Sequence, residues 1–319
     1  MGDAGSTGEP VAVRVRGLHK KYGAHTALHA LDLTVPPGSI FGLIGPNGAG
    51  KTTTLRVLLD IIRPTSGEVS VLGADPRAGG AALRRRIGYI PGELRLASRV
   101  GVGAMLRHLA EISGPVAPGA IESLAERLGL DLTRPVRTLS KGNKQKVGVV
   151  QAFMHHPALL VLDEPTSGLD PLVQREVLAM LREARDDGQT VLLSSHVLSE
   201  IQQTADDVAV LAEGRVVAEG SVATLRIASV RRLQATLAGG AGEALRTELD
   251  GVPGVADLDI TALGELTRVS ATVRGDIDPV IRALCTGMIR ELTVEEPDLE
   301  ESVLGLYGAA SGATRRRRS

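Results

Sequence analysis

The sequence predicts an α/β fold, a mainly parallel sheet with helices on both faces, followed by a small C-terminal α+β domain. Three observations carry this. Short apolar runs, ALLVLD at 158–163, TVLLSSH at 190–196 and DVAVLAEG at 207–214, recur between stretches of helical spacing. Runs apolar throughout suit strands buried on both faces, and their alternation with helices suits parallel pairing. From about residue 230 the order becomes β-α-β-β-α-β, a small ferredoxin-like arrangement. Between about residues 93 and 138 strand patterns vanish, and AMLRHLAEI and IESLAERLGL predict a helical insertion.

Residues 1–10, MGDAGSTGEP, are rich in Gly, Ser and Pro and read as a disordered start. In VAVRVRG, Val11, Val13 and Val15 alternate with Arg14 and Arg16, the period of a half-buried strand. Leu31, Leu33 and Val35 repeat that period up to the turn Pro36-Pro37-Gly38. SIFGLIG is a continuous apolar strand and KTTTLRVLLDII has helical spacing. These elements define a first domain over 11–225. In the second, over 230–308, RRLQATL, VADLDI, ELTRVSATVRG and IRELTVEE predict strands, and GEALRTEL and DPVIRALCTGM helices. PDLEESVLGLYG predicts a last short helix before a basic tail, 309–319, that carries Arg315 to Arg318. The tail reads either as a solvated end or as a patch drawn to anionic lipid.

Composition narrows the function. At 319 residues, 43% hydrophobic and 23% charged, the chain is an ordinary globular protein with room for two cores. A formal net charge of −1 and an aromatic content of 2%, without Trp, argue against nucleic acid as a partner. Cys285 is alone, so no internal disulfide forms, which fits a reducing compartment. No apolar run nears the roughly 18 residues of a membrane span, and the start lacks a secretion signal. A soluble cytoplasmic protein is expected, with any membrane role reached through a partner.

The stretch GPNGAGKT, 45–52, satisfies G-x-x-x-x-G-K-[ST] between a predicted strand and a predicted helix, which predicts a P-loop NTPase sheet. Gly45, Gly48 and Gly50 let the backbone curl around an anion and aim successive N–H groups at it. The helix N-terminus adds to the attraction. Lys51 reaches β- and γ-phosphates, and the Thr52 hydroxyl can ligate Mg²⁺. The candidate nucleotide-binding set here is Gly45, Pro46, Asn47, Gly48, Ala49, Gly50, Lys51, Thr52 and Thr53. ALLVLDEP delivers Asp163 to the carboxyl end of a strand, where α/β sheets bind ligands, as a second holder of Mg²⁺. Glu164 follows, pointing elsewhere along an extended backbone, available to deprotonate a water. The alternative, a solvated acidic pair at a strand end, loses its weight beside the glycine-rich loop upstream.

LSKGNKQK at 139–146 is a second turn of small residues and lysines suited to phosphate. With it, the chain resembles the nucleotide-binding subunits of ABC transporters over residues 11–225. SGLD, 167–170, is similar to that family's D-loop, His196 to its switch histidine, and Tyr22 to the ring it places against adenine. Tyr22 also reads as a surface tyrosine and His196 as a helix cap. The resemblance implies the ABC ATPase fold, ATP with Mg²⁺, and a second copy of the chain. Two copies would sandwich two ATP molecules, with Ser140, Gly142 and Asn143 supplying the partner's γ-phosphate and Asp170 ordering the opposite site. It implies Glu164 as general base, with His196 and Lys51 on the γ-phosphate. Two positions depart from the family. Its usual signature is L-S-G-G-Q, whereas this chain has Lys141 and Asn143 at the third and fifth places. Its usual glutamine after IGYIP is Gly92 here, followed by Glu93, which is either a substitute oxygen ligand or a solvated acid.

The single ATPase half and short C-terminal domain resemble the drug-resistance exporter branch. That implies efflux of a hydrophobic small molecule or antibiotic through a separate permease on which the helical insertion docks. The chain would then sit on the inner face of the cell membrane. The alternative is a soluble ABC-type ATPase acting on ribosomes or DNA. A P-loop GTPase is disfavoured because NKQK at 143–146 ends in Lys, not the Asp of N-K-x-D.

Overall fold

The computed structural model describes residues 11–96, 98–223, 230–238, 242–274 and 276–295. The expected disordered start, the short helix over 297–308 and the basic tail lie outside these residues. The chain divides into two compact units, Met1–Gly220 and Ser221–Ser319.

The first unit holds two sheets. Strands β1 (Val13–Tyr22), β2 (His25–Val35) and β4 (Ser66–Val71) form a small sheet of order β2-β1-β4 with antiparallel pairings. Strands β3 (Ile40–Ile44), β5 (Ile87–Ile90), β6 (Leu159–Asp163), β7 (Thr190–Ser195), β8 (Asp207–Ala212) and β9 (Arg215–Ser221) form a larger sheet of order β5-β6-β7-β3-β8-β9. The pairings β5/β6, β6/β7, β7/β3 and β3/β8 are parallel. Every residue of β3, β6 and β7 is buried, as continuous apolar runs require of strands covered on both faces.

Helix α1 (Lys51–Leu58) lies between the sheets. Its Leu55, Val57 and Leu58 join Val13, Val15 and Leu33 from one sheet and Phe41, Leu43, Val161 and Leu192 from the other in one core. Helix α2 (Pro76–Arg84) starts on Asp75, whose carboxylate accepts from the N–H groups of Arg77 and Ala78, and packs against β4 and β5. Between β5 and β6 the described residues contain no strand of either sheet. They form α3 (Val102–Ser113), α4 (Ala120–Arg127) and α5 (Lys141–Phe153), which pack on one another, with α5 also on β5. Helix α6 (Pro171–Asp186) packs on β3 and β7, and α7 (Leu198–Thr204) does the same.

In the second unit β10 (Val230–Ala238), β11 (Val255–Leu263), β12 (Leu266–Arg274) and β13 (Met288–Glu295) form an antiparallel sheet of order β11-β12-β10-β13. Helices α8 (Gly242–Asp250) and α9 (Asp278–Leu284) bring Leu245, Leu249, Val280 and Leu284 onto Leu233, Leu237, Val269 and Val273. The predicted helices KTTTLRVLLDII and DPVIRALCTGM end earlier than their apolar patterns, at Leu58 and Leu284.

Candidate functional site

The order of the large sheet reverses direction around β3, where chain connections leave to opposite sides, the place where open α/β sheets leave a crevice. The loop after β3 wraps that crevice. Gly50 caps α1 at φ 108, a left-handed conformation, and a Cβ there would stand 2.7 Å from Leu28 Cδ2. Ala49 is fixed on both sides, its N–H donating to Pro46 O at 3.1 Å and its carbonyl accepting from Gly214 N at 3.0 Å. Lys51 Nζ donates to Gly45 O at 2.5 Å and to Pro46 O at 3.3 Å. Burial pushes the Lys51 ammonium below its ordinary pKa, and the charges of Glu164 and Asp163 act the other way.

An open cavity of about 550 Å³ lies over this loop. Pro46 to Thr53 line it from the loop and α1, and Tyr22, Asp163, Glu164 and His196 from other elements. Gly45 does not line the cavity; its carbonyl accepts from Lys51 Nζ. Tyr22 is 46% exposed, with Lys20 Nζ 4.8 Å from its ring centroid. Lys20 Nζ also donates to Arg63 O at 2.7 Å. Gly92 and Glu93 line the cavity too, but Glu93 binds Arg95 at 2.7 Å with both side chains in solvent.

Asp163 ends β6 and is 1% exposed. Its Oδ1 accepts from Ser194 Oγ at 2.6 Å, while Oδ2 is buried without a hydrogen-bond partner. A buried carboxylate oxygen left so calls for a positive partner. With Thr52 lining the same cavity, these residues fit a hard, oxygen-seeking divalent cation.

Glu164 is not extended, contrary to the sequence expectation. Its φ is 54, and the turn is held by its N–H, which donates to Ser194 O and to Ser194 Oγ, both at 3.2 Å. Carrying the strand straight on would aim residue 164 away from the crevice. The left-handed turn instead brings Glu164 Oε2 to 2.5 Å from His196 Nδ1.

Ser140, Gly142, Asn143 and Asp170 do not line this cavity. Ser140 caps α5, its Oγ accepting from Asn143 N at 3.2 Å. Gly142 lies against the 167–170 turn, where an added Cβ would stand 2.7 Å from Gly168 O. Asp170 caps α6 by accepting from Leu172 N and Val173 N at 3.2 and 3.1 Å. Four residues that matter here were not singled out in the sequence. His25 and Arg56 line the cavity, and Ser194 holds both Asp163 and Glu164. Gln145 is 6% exposed and donates from Nε2 to Glu164 O and Pro165 O. Its signal was available, because Gln145 shares helical spacing with buried Val149 and Ala152.

A glycine-rich loop between a parallel strand and a helix, with an acidic strand end beside it, defines a P-loop nucleotide-binding protein. The family described as ABC transporter matches residues 28–167. A daunorubicin resistance ATP-binding protein of Streptomyces coeruleorubidus is 34% identical over 308 residues, which cover 93% of this chain and 96% of that protein. A bacitracin transport ATP-binding protein of Enterococcus faecalis is 37% identical over 216 residues, covering 67% and 70%. A solved ATP-binding subunit of an ABC transporter superposes with a TM-score of 0.63 at 32% identity, covering 67% of this chain and 92% of that one. The chain belongs to the ATP-binding proteins of the ABC transporter family.

Proposed function

We propose that this chain is the ATP-hydrolysing subunit of an exporter, working as a pair of identical copies on a separate membrane permease that carries a hydrophobic small molecule or antibiotic outward. No helix among the described residues is long and apolar enough to cross a membrane, so the path would belong to that partner. The observation that carries the reading is the meeting of Lys51, Asp163, Glu164 and His196 over one phosphate loop. Similarity over almost the full length to a drug-resistance ATP-binding protein supports the export direction.

In this reading the loop N–H groups and Lys51 bind the β- and γ-phosphates of ATP, and Tyr22 stacks on the base. The Thr52 hydroxyl and Asp163 would hold Mg²⁺, which would supply positive charge against the phosphates. Glu164 takes a proton from the water that attacks the γ-phosphorus. The bond from that phosphorus to the β–γ bridging oxygen breaks, and ADP and inorganic phosphate leave. His196 Nδ1–H donates to Glu164 Oε2 and aims the carboxylate. Donation to the γ-phosphate would fall to Nε2 of the doubly protonated ring. Ser140, Gly142 and Asn143, turned away from their own chain's cavity, would serve the γ-phosphate of the second copy.

Removing this chain from its host should raise retention of a fluorescent anthracycline, and wild-type chain should reverse that where Glu164→Gln does not. Unchanged retention together with co-sedimentation on ribosomes would replace the exporter with a soluble ATPase.

A further inference from the structure

We infer that Gln145 is a positioning residue for hydrolysis, the donor on α5 that helps fix the backbone of the catalytic carboxylate in the same chain. The inference rests on the role of Glu164 as general base. Gln145 lies in the first turns of α5, beyond the Ser140 cap. Its amide nitrogen donates to Glu164 O at 3.2 Å and to Pro165 O at 2.9 Å. Both acceptors are carbonyl oxygens, so only the two N–H bonds of the amide satisfy them; its oxygen turned that way would be repelled.

Glu164 occupies the left-handed region, which a non-glycine residue holds only when its surroundings impose it. Its N–H is pinned to Ser194 on β7, and its carbonyl accepts both from Ser167 N of its own turn at 3.1 Å and from Gln145 on α5 at 3.2 Å. Gln145, which also holds the next carbonyl at Pro165, ties this turn to α5, and the remaining freedom of the side chain is taken by His196. Gln145 also makes the base sensitive to where α5 stands. A movement of that helix, whose N-terminal residues Ser140 to Asn143 are proposed to meet the second copy's phosphate, would move the carbonyl beside the base.

The experiment compares Gln145→Met, which keeps length and apolar contact but has no donor, with Gln145→Glu. Loss of the donor should lower kcat by roughly tenfold to a hundredfold, the cost of misplacing a catalytic group by about 1 Å. KM for ATP should stay within about twofold, since the loop and Lys51 are untouched. In Gln145→Glu an ionised carboxylate facing two carbonyl oxygens would be repelled, whereas the protonated acid can donate one hydrogen bond. That variant should gain turnover relative to wild type as pH falls, whereas wild type only loses turnover as its base is protonated. Bound fluorescent nucleotide confirms folding of each variant. Full turnover in Gln145→Met beside an inactive Glu164→Gln overturns the positioning role alone. So does a loss of kcat matched by loss of nucleotide affinity, or a Gln145→Glu to wild-type rate ratio that does not rise as pH falls. Full turnover in Glu164→Gln removes the base itself, and the inference with it.

Discussion

The Cβ position of Gly92 lies 2.8 Å from Oδ2 of Asp163, the buried carboxylate oxygen that lacks a hydrogen-bond partner. Any side chain at 92 must therefore displace either its own loop or Asp163, and Asp163 is tied to Ser194 at 2.6 Å. The absence of the family's glutamine at this place is thus built into the packing. Gly92→Gln and Gly92→Ala should behave alike, because both carry the offending atom. Each is expected to lower ATP turnover by roughly tenfold, equivalent to about 1.4 kcal/mol in the barrier. Overpacking should cost about 1–3 kcal/mol of stability. Steady-state rates and thermal midpoints of the two variants check this. A glutamine that raised turnover above the alanine variant would show that the side chain can be accommodated and used.

Glu164→Gln keeps the shape of the residue and its backbone turn while removing the basic oxygen pair. Turnover should fall by about 10²–10⁴-fold, the usual contribution of a positioned base. Nucleotide should still bind, and ATP should stay bound intact rather than be released as ADP. Chromatography of nucleotide recovered from the isolated variant measures the ratio directly.

Lys51 is held by two loop carbonyls in a buried setting that disfavours its charge, so a phosphate anion is the partner that would repay keeping it. ATP with Mg²⁺ at 100 times its Kd should stabilise the wild-type chain by about 2.7 kcal/mol. Lys51→Ala should lose most of that gain, seen as a thermal shift that no longer responds to nucleotide.

Local demands were legible in the sequence. Buried strands β3, β6 and β7 announce themselves because each must be apolar on both faces, and the phosphate loop because close backbone approach needs its glycines. The strands β4 and β9, by contrast, are sheet edges with several solvent-facing residues, so SGEVSV and RVVAEGS carry little apolar pattern. The turn at Glu164 was not legible either, since Ser194 and Gln145, which impose it, lie 30 and 19 residues away. Ser194 is a polar residue late in an apolar strand, and its meaning comes from its pairing with Asp163.

Another long-range pair makes the last prediction. Arg127, at the end of α4 in the helical insertion, grips α6 through Glu176 and through both oxygens of Glu183, the latter at 2.5 and 2.6 Å. The fork fits the carboxylate bidentately, which a lysine cannot reproduce. The hydrogen bond from Arg127 holds the Glu183 carboxyl below its ordinary value of 4.5. A carboxyl depressed in the folded state adds stability that is present above the unfolded value. That stability is lost as pH falls below about 4.5 and through the folded pKa. Glu183 is 56% exposed and solvent screens the pair, so the contribution is small. A double-mutant cycle of Arg127→Lys with Glu183→Gln should give a coupling of about 0.5–1 kcal/mol at pH 7. The coupling should shrink in about 1 M salt, where screening reaches roughly 3 Å, and fade as pH falls through the folded pKa of Glu183. Because no atom of this pair touches the cavity, basal hydrolysis by the isolated chain should be unchanged in Arg127→Lys. A coupling indistinguishable from zero at low salt would mean that α4 and α6 are held together by their packing on α5 and the sheet, without help from this clamp.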